Sequence, residues 1–126
     1  MDKLVAHAIK AREAGSAPYS GYKVGAAVLC DDGSIITGAN IEVACSAAGV
    51  CAERVALSQA IYLGKRPKII AIVADSEKPI PPCGICRQFL VEFSPLSVIM
   101  ANMNGDIRRS TAYKLLPVRY ERKKRV

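Results

Sequence analysis

Apolar residues along the chain follow two spacings, one typical of helices and one typical of buried strands. Over Lys3–Ala14 they recur three and four positions apart, which predicts a helix that Gly15 ends. Lys23–Cys30 and Ile35–Ala39 are rich in small and β-branched residues and flank the turn sequence Asp31-Asp32-Gly33. That combination predicts a β-hairpin directly after the first helix.

The middle of the chain alternates between loop, helix and strand patterns. Asn40–Val50 has no clear periodicity and predicts a loop, which leads into a helix over Cys51–Leu63. Ile69–Ala74 is an uninterrupted apolar run, as expected of a strand that is buried on both faces. Pro82 precedes a second helix over Gly84–Phe93, where its missing N–H costs nothing.

Shorter segments complete the chain. Val98–Ala101 predicts another buried strand, Asn104-Gly105 a hairpin turn, Ile107–Arg109 a short last strand and Thr111–Leu116 a closing helix. Because helices and strands alternate in the middle, we expect an α/β fold in which helices pack on the faces of a mixed sheet. The sequence has neither repeats nor a linker, so we expect one domain over residues 1–126.

Composition narrows the class of protein. Of the 126 residues 51% are apolar, which is typical of a globular chain, and no apolar run reaches the roughly 18 residues of a membrane span. The start of the sequence does not have the pattern of a signal peptide, so we expect a cytoplasmic protein. In a reducing compartment five cysteines are better read as metal ligands or buried thiols than as disulfides.

The net charge of +7 is concentrated at the carboxyl end. Residues 1–118 hold 13 Lys/Arg and 10 Asp/Glu, a net +3, whereas residues 119–126 hold five basic residues and one acidic residue, a net +4. A solvated terminus is the simpler interpretation of the tail 121–126, and a patch that attracts nucleic acid or another subunit is the alternative. Because no basic stripe exists elsewhere, nucleic acid is not an expected partner.

Three cysteines have the spacing of a catalytic metal site. Cys51 begins one predicted helix, and Cys83 and Cys86 lie three residues apart at the start of another, so two helix starts can present three sulfurs to one ion. Three protein ligands leave the fourth position of a tetrahedral zinc open, as catalytic zinc requires. The alternatives are three ordinary buried thiols, or a closed structural site with Cys30, Cys45 or His7 as the fourth ligand.

Two charged residues follow Cys51 directly. Glu53 is placed to transfer protons beside the metal, although a carboxylate here could also only cap the helix. Three thiolates give Zn²⁺ a net charge of −1, which opposes ionisation of bound water. Arg54 is a natural source of compensating charge through a hydrogen bond to a thiolate, with a surface ion pair as the alternative.

With these residues identified, the sequence resembles the cytidine deaminases. Zinc deaminases share a ligand-x-Glu followed by Pro-Cys-x-x-Cys, which here is Cys51-Ala52-Glu53 and Pro82-Cys83-Gly84-Ile85-Cys86. Because its first ligand is a cysteine, the chain resembles the short nucleoside-deaminase branch of this family. The likeness covers nearly the whole chain, including Pro18–Ala27, Gly38–Glu42 and Leu115-Leu116-Pro117.

The resemblance implies a fold, a reaction and an assembly. The fold would be a three-layer α-β-α sandwich with a mixed sheet of about five strands and helices on both faces. Using one zinc ion per subunit, the enzyme would add water to C4 of cytidine, and of 2′-deoxycytidine, giving uridine or deoxyuridine plus ammonia in pyrimidine salvage. The assembly would be a homotetramer in which adjoining subunits complete each active site.

The same resemblance implies roles for individual residues. The zinc ligands would be Cys51, Cys83 and Cys86, with Glu53 as the catalytic acid and base. Arg54 and Gln88 would form hydrogen bonds with the thiolates. Substrate contacts would come from sugar-binding, base-packing and intersubunit residues, namely Asn40, Glu42, Tyr22, Ala52 and Tyr120. Without the resemblance, Asn40 could equally be a turn residue and Tyr22 a half-buried strand residue.

The chain departs from the family pattern mainly around the expected sugar site. Val43 replaces a second asparagine, Ser46 stands where a tyrosine is usual, and Cys45 lies near the ribose. The tail beyond Tyr120 is longer and more basic than usual. Two alternatives stay open: a deaminase for an aminopyrimidine antibiotic such as blasticidin S, and a nucleic-acid-editing deaminase or zinc-held nucleic-acid-binding module. Asn40 and Glu42 favour a nucleoside, and only 6% of residues are aromatic, few for base stacking.

Overall fold

Five strands form one mixed sheet in the computed structural model, which describes residues 2–125. The strands are β1 (Val24–Cys30), β2 (Ile35–Ala39), β3 (Pro67–Ala74), β4 (Ser97–Asn102) and β5 (Ile107–Thr111). They lie in the order β2-β1-β3-β4-β5, with β3 and β4 parallel and the other neighbours antiparallel. The predicted mixed sheet is therefore confirmed, including its hairpin of β1 and β2.

Helices cover both faces of this sheet. They are α1 (Lys3–Arg12), α2 (Ala52–Tyr62), α3 (Gly84–Glu92) and α4 (Ala112–Leu115), with one 3₁₀ turn over Ser46–Ala48. Buried side chains of α1 join one core cluster, and those of α2, α3 and α4 join another. The three-layer arrangement expected from the sequence is thus present, with α1 alone on its face.

Alternation along the central strand explains why its sequence is apolar without interruption from Ile69 to Ala74. In β3, Ile70 and Ile72 pack in the cluster with α2 and α3, whereas Ala71 and Val73 pack in the cluster with α1. Successive side chains of a strand point to opposite faces, so a strand with helices on both sides needs apolar residues at every position.

Element boundaries differ from the sequence expectation by two residues at most. The first helix ends at Arg12 because the following amides of Glu13, Ala14 and Gly15 donate to carbonyls three residues back, which tightens the last turn. The last strand continues to Thr111, whose hydroxyl then caps α4 by accepting from the Lys114 amide at 3.2 Å. Met1 and Val126, the ends of the predicted domain and tail, lie outside the described residues.

A glycine sets the distance between α2 and the sheet. A Cβ on Gly38 would lie 2.5 Å from the Ala56 amide nitrogen and 3.0 Å from the Ala52 carbonyl oxygen. No side chain fits there, so α2 lies directly against β2. The first turn of α2 is thereby fixed above the sheet. Within residues 2–125 no helix has the length and apolar content needed to cross a membrane.

Candidate metal centre

The three cysteines predicted from spacing lie together in the structure. Cys51 occupies the position just before α2, Cys83 occupies the same position before α3, and Cys86 lies in the first turn of α3. The sulfur atoms all lie within 4.8 Å of one another, and those of Cys51 and Cys83 are 3.8 Å apart. Among the described residues, no fourth cysteine, histidine or carboxylate belongs to this group.

The separation of the sulfurs fits zinc. With Zn–S bonds of about 2.3 Å, two ligands of a tetrahedral ion are about 3.8 Å apart. A set of three soft sulfur ligands also favours zinc over harder cations. Of the other ligands considered from the sequence, Cys30 is buried in the core and Cys45 is exposed beside the 3₁₀ turn. The chain can therefore hold zinc with three sulfurs and an open fourth position.

The cysteines at the two helix starts form hydrogen bonds with neighbouring groups. The Cys83 sulfur accepts a hydrogen bond from the Cys86 amide at 3.5 Å, in the place where serine or aspartate usually caps a helix. Hydrogen bonding from Cys86, aided by Arg54 and Cys83, lowers the pKa of Cys51 to about 5 against the opposing effect of burial. The same interaction raises the pKa of Cys86. These interactions favour the thiolate form of Cys51.

Glu53 is buried beside the cysteines in the first turn of α2. Its side chain is one of two buried polar or charged ones among the described residues, with 5% of its surface exposed. Burial is the main cause that raises its pKa, and the negative charge of Cys51 adds to it. A buried carboxyl group with a raised pKa beside a metal site is suited to moving protons.

Arg54 lies between the metal site and the preceding loop. Its Nη2 donates to the Cys51 sulfur at 3.9 Å and to the Gly49 carbonyl at 3.4 Å. Its Nε is buried and has no partner among the described residues. The guanidinium therefore offsets thiolate charge, and it has a further donor pointing into buried space.

Two adjoining cavities lead to the cysteines. The inner one, about 220 Å³, is lined by Glu53 and Ala52, and by Val24, Ile72, Ile80 and Pro81. The outer one, about 570 Å³, extends over the 3₁₀ turn and the loop around residue 20. Asn40, Cys51 and Cys83 line both. Larger cavities exist under the tail and beyond the end of α2, but neither has any of the three cysteines in its lining.

The two residues expected to hold a sugar line the outer cavity, and both are fixed by backbone contacts. The Asn40 amide donates to the Tyr22 carbonyl at 2.8 Å, and its oxygen accepts from the Val24 amide at 2.9 Å. The Glu42 carboxylate accepts from the amides of Tyr19 and Ser20. Each keeps some capacity for another hydrogen bond.

Three expected residues have surroundings that the sequence did not indicate. Tyr22 is 40% exposed and lines neither cavity, although its backbone holds Asn40. Gln88 donates to the Tyr120 carbonyl at 2.9 Å and accepts from the Tyr120 amide at 3.2 Å. Tyr120 itself is 72% exposed. Within one chain, Gln88 thus holds the tail, and its expected contact with the thiolates stays a prediction.

Sequence reasoning missed other residues of the two cavities. Ile80 and Pro81 form an apolar side of the inner cavity. The sequence marks this segment only by its prolines before Cys83. Ser20 lines the outer cavity and donates its hydroxyl to Glu42. Nothing in the sequence connects residues 20 and 42, and the pairing depends on how the loop folds over the strand ends.

Comparisons with known proteins agree with this geometry. The family model described as "Cytidine and deoxycytidylate deaminase zinc-binding region" matches residues 1–102. A cytidine deaminase of Halalkalibacterium halodurans is 49% identical over 117 residues, which cover 90% of this chain and 89% of that protein. A blasticidin-S deaminase of Bacillus cereus is 31% identical over 110 residues, covering 80% of this chain and 79% of that one.

A solved structure shares the whole fold. The crystal structure of cytidine deaminase from Burkholderia pseudomallei superposes with a TM-score of 0.91 at 42% sequence identity. The match covers 95% of this chain and 100% of that chain. The order of elements around the three cysteines is therefore an arrangement that a solved deaminase also has.

Proposed function

Since the chain belongs to the cytidine and deoxycytidylate deaminase family, we propose that it hydrolyses cytidine and 2′-deoxycytidine to uridine or deoxyuridine and ammonia. The observation that carries the proposal is the group of three cysteines at zinc-binding distance beside a buried carboxylate and a cavity. A purely structural zinc site would need neither the open fourth position nor the cavity.

Zinc would be held by Cys51, Cys83 and Cys86, and when bound it supplies a water molecule of lowered pKa near neutral pH. Glu53 would accept a proton as the water oxygen adds to C4 of the pyrimidine. It would pass that proton to the ring nitrogen N3. It would then carry the second proton from the new C4 hydroxyl to the amino group, which departs as ammonia as the C4–N bond breaks and the C4 carbonyl forms. The raised pKa of Glu53 supports this role, because burial makes the carboxyl group hold a proton more tightly than an exposed glutamate does.

Arg54 would keep the thiolates from cancelling the metal's charge. Its guanidinium lies against the Cys51 sulfur, so its positive charge partly offsets the three negative sulfurs. For Gln88, the same role is an expectation that depends on release of its contacts with Tyr120.

A neutral nucleoside fits the cavities better than a nucleotide. Among the described residues Arg54 is the only cationic one in the lining of the two cavities, and its Nη2 already donates to Cys51 and Gly49. A phosphate group would therefore lack a charged partner there. Asn40 and Glu42 in the outer cavity support recognition of sugar hydroxyls, and Ala52 would contact the base in the inner one.

A homotetramer is part of the proposal. Apolar side chains are exposed at the end of α2, where Tyr62 is 89% and Leu63 57% exposed, and on α3, where Ile85 is 64% exposed. Such surfaces support burial against copies of the chain. Tyr120, exposed and held away from its own cavities, would then be available to a neighbouring site. A cytoplasmic location and a place in pyrimidine salvage belong to the same proposal.

Zinc stoichiometry combined with an absorbance assay on the purified protein tests the function. We expect about one zinc per chain and loss of the cytosine absorbance with cytidine and 2′-deoxycytidine, but not with free cytosine. Turnover of blasticidin S with no turnover of cytidine would favour the antibiotic deaminase instead. Removal of residues 121–126 should leave cytidine turnover unchanged, and RNA binding without turnover would favour a nucleic-acid-binding module.

A further inference from the structure

The loop before β1 binds the Glu42 side chain through three hydrogen bonds. The amides of Tyr19 and Ser20 donate to Glu42 Oε1 at 3.1 and 3.0 Å. The hydroxyl of Ser20 donates to the other carboxylate oxygen, Oε2. These contacts join residues more than twenty positions apart, in a region exposed to solvent.

Ser20 also determines how the loop continues. Its oxygen accepts from the Tyr22 amide at 3.0 Å, while the Tyr22 carbonyl accepts from Asn40. Gly21 makes the turn possible, because its φ of +72° is one that other residues rarely adopt. A continuous set of hydrogen bonds therefore runs from Glu42 through Ser20 and Tyr22 to Asn40.

A second set of hydrogen bonds fixes the backbone of Asn40 and Glu42. The Glu42 amide donates to the Ser16 carbonyl at 2.8 Å, and the Ser16 amide donates to the Asn40 carbonyl at 2.9 Å. The main chain at residues 40–42 is thus held without Ser20. The two amides hold Oε1 of the Glu42 carboxylate, and the Ser20 hydroxyl adds a bond to Oε2. That bond fixes the rotation of the carboxylate group about its last side-chain bond.

We propose that Ser20 is a positioning residue for sugar recognition, which fixes the Glu42 carboxylate so that its remaining lone pairs face the outer cavity. This inference rests on the proposed nucleoside deaminase function. An ionised carboxylate accepts about four hydrogen bonds, and the loop supplies three. The one hydrogen-bond acceptor position that remains on Glu42 is therefore held in a fixed direction. A fixed acceptor binds a hydroxyl more tightly, because the side chain loses little conformational freedom on binding. The bond from Ser20 also lowers the pKa of Glu42, which keeps it charged.

Paired substrates distinguish positioning from a general structural role. Cytidine carries the 2′ and 3′ hydroxyls of the sugar, and 2′,3′-dideoxycytidine lacks both while keeping the 5′ hydroxyl. We expect Ser20→Ala to raise the KM for cytidine about tenfold with kcat changed less than about threefold, and to leave both constants for the dideoxy substrate nearly unchanged. Ser20→Thr keeps the hydroxyl and should restore most of the affinity. An equal loss with both substrates, or no loss with cytidine, would overturn the proposal.

Three further measurements complete the test. In a Glu42→Gln background, Ser20→Ala should change the cytidine KM less than twofold, because Ser20 acts through that carboxylate. Additive effects would contradict it. Ser34→Ala is the matched control, since Ser34 also donates to a carboxylate, at 2.6 Å to Asp32, but far from the cavities. A carboxylate titration by NMR should show a higher Glu42 pKa in Ser20→Ala, whether or not the protein turns over cytidine, so the positioning and the function can fail separately.

Discussion

The sulfur atoms of Cys51 and Cys83 lie 3.8 Å apart although 32 residues separate them in the chain. Each occupies the position just before a different helix, and the two helices pack on the same face of the sheet. The metal site therefore exists only once α2 and α3 are both docked. Folding and metal binding should support one another, because zinc that binds only the folded chain stabilises it.

Removal of any one ligand tests that coupling. Cys51→Ser, Cys83→Ser and Cys86→Ser should each lower bound zinc well below one per chain and abolish turnover, since oxygen replaces a soft sulfur ligand. Zinc content by metal analysis and the thermal midpoint with and without chelator are the measurements. Cys45→Ser, which changes an exposed thiol outside the group, is the control and should keep both. A full complement of zinc in the Cys83 variant would contradict the assignment.

Much of this centre could be predicted from the sequence because its chemistry is local. Cys83 and Cys86 share one turn of a helix, and Glu53 follows Cys51 by two residues, so spacing alone places each pair. Spacing does not show that the two pairs lie side by side, because that depends on the order of the strands in the sheet. The parallel neighbours β3 and β4, which bring α3 beside α2, have no signal in sequence periodicity.

Other contacts could not be predicted because they depend on loops. Gln88 lies on the helix that carries two cysteines, yet its amide binds the backbone of Tyr120, 32 residues away. Ser20 reaches Glu42 across 22 residues. Neither pairing has a spacing rule, since each loop conformation is set by the whole surface on which it lies.

Replacement of Glu53 should separate metal binding from catalysis. Glu53→Gln has nearly the same shape, keeps three sulfur ligands and cannot transfer protons, so we expect full zinc content and a rate lower by about 10²–10⁴. Glu92→Gln is a suitable control, because Glu92 forms an exposed ion pair with Lys124 at 3.3 Å on the other end of α3. Near-normal turnover in Glu53→Gln would exclude Glu53 as the catalytic acid and base.

The same variant makes a prediction about stability and pH in metal-free protein. Burial raises the pKa of Glu53, so the folded state holds its proton more tightly than the unfolded state does. Stability contributed by this group is then greatest at low pH and decreases as pH rises above the ordinary value of a glutamate. In urea denaturation at neutral pH, metal-free Glu53→Gln should therefore be more stable than the original chain. The free energies of unfolding of the variant and the original chain should converge near pH 4. A stability difference that does not depend on pH would contradict the burial of an ionised carboxylate.

Arg54 should control the charge of the sulfur group. Hydrogen bonding to Arg54 is one cause of the low pKa of Cys51, about 5, so Arg54→Gln should raise that pKa. Ultraviolet thiolate absorbance during a pH titration of metal-free protein measures it. In the zinc-loaded enzyme the variant should keep its metal, turn over more slowly and have a higher pH optimum. Arg66→Gln, an exposed substitution away from the cysteines, should change neither titration, and an unchanged pH–rate profile in Arg54→Gln would count against compensation.

Because α2 packs closely on β2, replacing Gly38 should destabilise the protein, whereas replacing a glycine in a strand by alanine usually stabilises it. Alanine normally stabilises by reducing the freedom of the unfolded chain, by about 0.4–1 kcal/mol. At Gly38, however, the added methyl group would meet backbone atoms of Ala56 and Ala52, which cannot rotate away. We expect Gly38→Ala to cost about 1–3 kcal/mol in urea denaturation. Since displacement of α2 would move Cys51 and Glu53 relative to Cys83, turnover by the remaining folded protein should also fall. Thr37→Ala, on the exposed neighbouring position, should leave turnover unchanged, and a Gly38→Ala protein as stable as the original would show that the helix is not fixed by this contact.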